Sequence, residues 1–169
     1  MATENLILKT LCVRRSRRRF KDKEISLESV DTILEAARWA PSGLNNQPWR
    51  FIVIKEKDTR FQLAQLTKYS RIVQTCNTCI LVFYHTPSGY NRDKDIMSIG
   101  ASIQNILLAS ESMGIGAVWL GEILNRKDDV NRILEVADEN ELMAVIAMGY
   151  SDENPEKGRK ELKELIIEK

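Results

Sequence analysis

Residues 13–20 read VRRSRRRF, with five arginines among the six positions from Arg14 to Arg19 and Ser16 between them. Guanidinium groups present planar forks of N–H donors that match phosphate oxygens, and a serine hydroxyl adds one more donor. The first twenty residues hold six basic side chains and one acidic, a balance of +5, whereas residues 21–169 hold 19 basic against 23 acidic. The charge is local, so its partner is a local anion: the phosphate of a small ligand, a nucleic acid or a membrane surface. Nucleic-acid binders add further basic residues on the same face and an element that enters a groove. Here the rest of the chain is acidic in balance and no aromatic alternation accompanies the run. Small-molecule phosphate therefore ranks first, and nucleic-acid binding stays as the alternative of a different class.

A second stretch, WAPSGLNNQPWRF (39–51), places Asn45, Asn46 and Gln47 between two tryptophans, after a break at Pro41, Ser42 and Gly43. Side-chain amides in a row are poor core material. They suit the edge of a planar heterocycle that both donates and accepts hydrogen bonds, although a polar helix–strand connection would read the same way. The third stretch, GIGAVWLGE (114–122), does not satisfy G-x-G-x-x-G, and its glycines flank a strand instead of joining a strand to a helix, which excludes a Rossmann site. Gly121 at the strand end can let a backbone N–H approach a ligand closely. Cys76 and Cys79 form a C-x-x-C, but only Cys12 and the sole histidine, His85, could complete a zinc set, and neither has ligand spacing. Cys79 opens an apolar run, where cysteine acts as a small core residue. His85 closes that run and reads as a strand-end histidine.

The elements that position these stretches follow from periodicity. Apolar spacing predicts a short helix over 3–12, with Leu6, Ile7, Thr10 and Leu11 on one face, and a second over ISLESVDTILEAARWAP capped by Ser26 and stapled by Ile25 and Val30. Val30, Ile33, Leu34 and Ala37 form its buried stripe, and Pro41 helps to end it. Strands are expected at 49–54, 79–85, 115–121 and 141–150, and a loop at TPSGYNRD. Further helices are expected from a cap at Asp58 through Leu66, over 95–114 with Gly114 at the C-terminal αL position, and over 127–136. The irregular alternation predicts an α+β fold.

With 169 residues, no Pro/Gly/Ser-rich linker and no repeat, one domain over 1–169 is expected. No apolar run reaches the ~20 residues that cross a bilayer. The start lacks a signal-peptide pattern, and three cysteines, an odd number, fit a reducing, cytoplasmic setting.

Taken together, RRSRRRF, APSGLNNQPWRF, DIMSIGASIQNILLASESMGIGAVWLG and AVIAMGY, in this order, resemble the FMN-dependent nitroreductase family over nearly the whole chain. The resemblance implies a nitroreductase-like α+β fold, with a mostly antiparallel central sheet flanked by helices. It also implies an FMN-binding homodimer with active sites at the dimer interface. By position, Arg14, Arg15, Ser16 and Arg18 match the family's Arg-x-Ser-x-basic segment. Arg14 and Ser16 would serve the phosphate and ribityl chain, and Arg18 the N1/O2 side of the flavin, with Arg17 and Arg19 facing solvent. Pro41, Ser42 and Asn45 match the segment that the partner presents to the ring, and Leu120 and Gly121 the turn whose N–H approaches flavin N5. Lys157 and Arg159 match further phosphate contacts.

A cation near O2/N1 favours flavin reduction and a donor at N5 orients the atom that exchanges hydride, so the protein supplies position and electrostatics. The resemblance thus implies NAD(P)H-driven, ping-pong reduction of nitroaromatics, quinones or related small acceptors. Reductive dehalogenation and oxygen-dependent fragmentation of the flavin are the competing chemistries within the family. Two departures bear on the site. The segment TKYSRIVQTC holds no match for the asparagine and lysine that many members place on the flavin pyrimidine, leaving Tyr69 and Arg71 as candidates nearby. The 86–95 segment is short where larger members insert helices.

Overall fold

The computed structural model describes residues 5–156 and 158–167. Four strands, β1 (Trp49–Ile54), β2 (Thr78–His85), β3 (Gly116–Leu120) and β4 (Asn140–Gly149), form one sheet in the order β1-β2-β4-β3. Every pairing is antiparallel, from Trp49↔Tyr84 at one edge to Leu120↔Val145 at the other. Six α-helices cover it: α1 (Leu6–Val13), α2 (Leu27–Arg38), α3 (Lys57–Ala64), α4 (Ser70–Thr75), α5 (Arg92–Ser112) and α6 (Lys127–Ile133).

The sheet is buried on both faces, which is why the central strand β2 reads as an unbroken apolar run. Ile80, Val82, Tyr84, Ala144, Ile146 and Met148 meet α2 and α5 on one side. Cys79, Leu81, Phe83, Leu142, Val145 and Ala147 meet Leu63, Val73 and Val130 of the other helices. Leu142 and Ala144 would share a face by simple alternation. A β-bulge opposite Val82/Phe83 leaves Met143 without a partner on β2 and turns Leu142 to the opposite core.

Local signals explain the helix ends. Ser26 accepts from Ser29 N and caps α2, while Ile25 and Val30 meet in the core as the staple. Each such buried side chain contributes about 1.5–3 kcal/mol. Asn91 caps α5 by accepting from Lys94 N. At its other end Gly114 has φ 70°, with Gly114 N donating to Glu111 O and Ile115 N to Ser110 O. This Schellman closure delivers the chain directly into β3.

Several expectations are corrected. The cap of α3 is Glu56 and Asp58 lies within its first turn. The 86–95 segment is not all loop: Thr86–Ser88 is a 3-10 turn and α5 already starts at Arg92. The helix α4 was not expected, because six residues carry too little periodicity to announce one. The first helix begins at Leu6 with Asn5 as its cap, and residues 1–4 lie outside the described residues. Among the described residues no helix is long and apolar enough to cross a membrane.

Candidate functional site

After α1 the chain lies along β3. Ser16 bridges Ala117 in parallel, Arg17 N donates to Ala117 O at 3.1 Å, and Lys21 N to Tyr150 O at 2.8 Å. The contact requires a bare backbone, because a Cβ on Gly149 would lie 2.9 Å from Phe20. The five arginines then separate by environment. Arg17 pairs with Glu111 at 2.5 Å and its Nε donates to Glu153 O, with only 18% of its side chain exposed. The expectation that it faces solvent is therefore wrong: Glu111, on α5, draws it inward. Arg19 is the solvent-facing one, 82% exposed and paired with Glu153. Arg18 is also exposed, its guanidinium within reach of Ser16 O at 3.3 Å.

Arg14 and Arg15 differ from these. Both are half-buried, and no described residue accepts from or ion-pairs with the Arg14 guanidinium. Burial, then the charges of Arg159 and Arg15, hold its pKa below the ordinary arginine value, with Glu111 opposing and Arg17 adding to the shift. Arg15 spends one nitrogen on Cys12 O and Arg14 O, while its Nε is buried without a partner. Cations gathered from two distant segments, with donors unmet, repel one another until an anion joins them. The structure thus brings together Arg14, Arg15, Ser16 and Arg159; Lys157 lies outside the described residues.

Further along β3, about 13 Å from Ala117 at ~3.3 Å per residue, the strand ends at buried Leu120 and at Gly121, where a Cβ would meet nothing within 4 Å. Glu122 accepts from Thr67 Oγ1 at 2.6 Å and Lys68 N at 3.1 Å. These bonds hold the Glu122 carboxyl below the usual carboxylate range, and they bring the 67–69 turn beside the strand end. Tyr69 belongs to that turn, its N donating to Thr67 Oγ1, whereas Arg71 is exposed on α4. Sequence reasoning missed Thr67, Lys68 and Glu122, since a contact across 55 residues leaves no local pattern.

The amide loop is strained. Leu44, Asn45 and Gln47 have φ of 54°, 55° and 47°, values that L-residues seldom adopt. Ser42 Oγ accepts from Gln47 N, Pro41 and Asn45 are exposed, and Asn46 turns inward to donate to Ser88 O and Asp95 Oδ1. Arg50 reaches Gln47 O, Ser88 Oγ and His85 Nδ1. Ser88 Oγ, His85 and Glu139 stand in a line, but Arg50 lies 3.1 Å from the same ring nitrogen and competes for the lone pair a general base would need.

Within one chain the arginine run and the amide loop are tied to opposite ends of α5. Glu111, which holds Arg17, and Asp95, which holds Asn46, lie on α5 about 24 Å apart at ~1.5 Å per residue. Separately, a groove of about 500 Å³ opens between α1, α2 and α5, lined by Leu6, Ile7, Trp39, Leu108 and Met113 and by none of the arginines. Leu6, Ile7 and Trp39 are each roughly 70% exposed.

An antiparallel sheet between helical layers, with Arg14 beside its edge strand left without an acceptor among the described residues, defines an α+β protein. The Nitroreductase family model matches residues 12–75 and 62–150, and the chain belongs to the nitroreductase family. A candidate NADH dehydrogenase/NAD(P)H nitroreductase of Methanothermobacter thermautotrophicus is 32% identical over 88% of this chain and 79% of its own. An NADPH-flavin oxidoreductase of Vibrio harveyi is 29% identical over 90% and 68%. Among solved structures, a candidate nitroreductase of Desulfovibrio desulfuricans in complex with FMN superposes with a TM-score of 0.95 at 43% identity, covering 99% of this chain and 98% of that one.

Proposed function

We propose that the chain is an FMN-dependent oxidoreductase that uses NAD(P)H to reduce small acceptors such as nitroaromatics or quinones, as a homodimer with each flavin held between two chains. The observation that carries this reading is the Arg14–Arg15–Arg159 set, with an orphaned buried Nε and, among the described residues, no carboxylate paired with it, since nearby Glu111 is held by Arg17. The donor chemistry fits a phosphate monoester, with Ser16 adding a hydroxyl. It fits a nucleic-acid stripe poorly, because Arg17 and Arg19 are taken up by Glu111 and Glu153.

In this reading Arg14, Arg15, Ser16 and Arg159 bind the phosphate, and Lys157, which lies outside the described residues, is proposed as a further phosphate contact. The Gly121 backbone and Leu120 border the ring, and Arg18 supplies a cation on its pyrimidine side. The ~24 Å of α5 between Asp95, which holds Asn46, and Glu111, which holds Arg17, supports a site made from two chains, with Pro41, Ser42 and Asn45 reaching the ring from a partner. The exposed apolar groove on α1, α2 and α5 offers the contact surface. FMN, when bound, supplies the hydride acceptor and donor chemistry, and the protein supplies place and charge.

The purified protein should be yellow or take up added FMN, and release FMN but not FAD on denaturation. The two substrates should use one place in turn, giving parallel double-reciprocal lines. Tight FAD binding without affinity for FMN would contradict the cofactor. Dehalogenation of an aromatic, or consumption of FMN with oxygen, without nitroaromatic or quinone reduction, would keep the family and overturn the reductase reading.

A further inference from the structure

Asp95 is fully buried in the first turn of α5 and, among the described residues, has no cation against it. It is instead surrounded by donors from three separate segments. Oδ1 accepts from Asn46 Nδ2 at 2.7 Å, and Oδ2 from Tyr84 OH at 3.2 Å, Tyr90 N at 3.0 Å and Asn91 N at 3.1 Å. Burial alone would push its carboxyl up, yet these bonds hold it below the usual carboxylate range, so the group stays an anion. The packing around it is closed: a Cβ on Gly43 would lie 2.0 Å from Tyr90 Oη, and one on Gly89 would lie 1.9 Å from Tyr84 Oη.

We infer that Asp95 is a positioning residue that locks the amide loop 42–47 in its strained conformation, ready to meet the flavin of the partner chain; this rests on the proposed place of that loop in the site. The loop does not hold itself. Three residues at positive φ each cost of order 1 kcal/mol or more, Leu44 is 85% exposed, and the loop's internal bonds (Asn45 N to Ser42 O, Asn46 N to Gly43 O, Gln47 N to Ser42 Oγ) are all short-range. Asn46 is the side chain that ties the loop to the body of the protein, and Asp95 receives it with an acceptor that cannot switch to donor. A helix cap would account for the bonds from Tyr90 N and Asn91 N. It would not account for Asn46, 49 residues away in sequence, and α5 already has its own cap in Asn91. An isosteric amide at 95 would have to turn an NH2 group toward one of these four donors.

Hydrogen exchange of the apoprotein and FMN titration of native protein, Asp95→Asn and Asn46→Ala test this. In Asp95→Asn, exchange at 42–47 should rise about tenfold or more, with α2 unchanged, and the Kd for FMN should rise about tenfold, the scale of one buried charge-assisted hydrogen bond. Asn46→Ala should reproduce both effects while Tyr90 and Asn91 exchange as in the native protein. Native exchange at 42–47 in Asp95→Asn overturns the inference. So does exchange that rises throughout α5 while Asn46→Ala behaves as native, because Asp95 would then be a helix cap and nothing more. A mobile loop with native FMN affinity overturns it too, and removes the loop from the site while leaving the arginine cradle. Failure of the cradle itself reads differently: native FMN affinity in Arg14→Ala with the loop unchanged.

Discussion

Arg14 and Arg17 are three residues apart in one run, and their surroundings give them different work. Arg17 is matched to Glu111 at 2.5 Å in a half-buried pocket, so Arg17→Ala should destabilise the fold by about 2 kcal/mol, read by denaturant unfolding. Arg14 has no such partner, and Arg14→Ala or Arg159→Ala should leave unfolding near native while raising the Kd for FMN tenfold or more, read by flavin fluorescence. Arg19→Ala, at an exposed position, should change neither. Residue type and spacing rank a phosphate first as the partner of the run, ahead of nucleic acid, and the family resemblance assigns it to FMN. Which arginines are free to bind it is not legible there, because Glu111 and Glu153 are brought in from distant parts of the chain. In the same way Asn45, Asn46 and Gln47 are alike in sequence, and it is Asp95 and Ser88 O, both distant in sequence, that receive Asn46 while Asn45 stays exposed.

The elements were legible where periodicity, caps and apolar runs agreed, as in α2 with Ser26, Ile25 and Val30, in β1, and in β2 up to its terminal His85. They were not where a contact sets the local shape. The bulge at Met143 serves two cores at once, and α4 exists through its packing on α3 as the chain returns to β2. Cys76 and Cys79 close that return as two buried free thiols, sulfurs 3.4 Å apart. Glu141 ties three elements: on β4, it takes Arg92 from the start of α5 and Lys127 from the start of α6, each at 2.7 Å. The Arg92 bond first, and Lys127 after it, pull the Glu141 carboxyl down to about 2 against the effect of burial. A depressed carboxylate stabilises the fold above its unfolded pKa, and that stability is lost as pH falls through the folded value. Glu141→Gln should thus cost about 1 kcal/mol at neutral pH, after allowance for solvent screening. The cost should vanish as pH drops from about 4.5 toward 2, read as converging unfolding midpoints.

At the scale of the whole molecule, one chain ties the arginine run and the amide loop to opposite ends of α5, so the proposed site needs a second chain to complete it. Ile7 and Trp39, 69% and 73% exposed on the apolar groove, are the surface through which a second copy would supply the missing half. Ile7→Glu with Trp39→Glu should therefore yield monomers in sedimentation and lose FMN with them, although neither residue touches the cradle. The family assignment could be made from the order of the motifs along the chain. The resemblance already implies a site shared between two chains; the length of α5 between the two segments is what no motif carries. The most direct measurement is complementation between two variants that each bind no FMN: Arg14→Ala/Arg159→Ala, which lacks the cradle, and Ser42→Ala/Asn45→Ala/Asn46→Ala, which lacks the loop. Co-expressed chains that pair at random form mixed dimers in which one of the two sites draws its cradle and its loop from unaltered segments. The account predicts FMN bound at about a quarter of all sites, with reductase activity in proportion. A co-expressed sample as free of FMN as either variant alone would mean that each flavin lies within a single chain, and would contradict it.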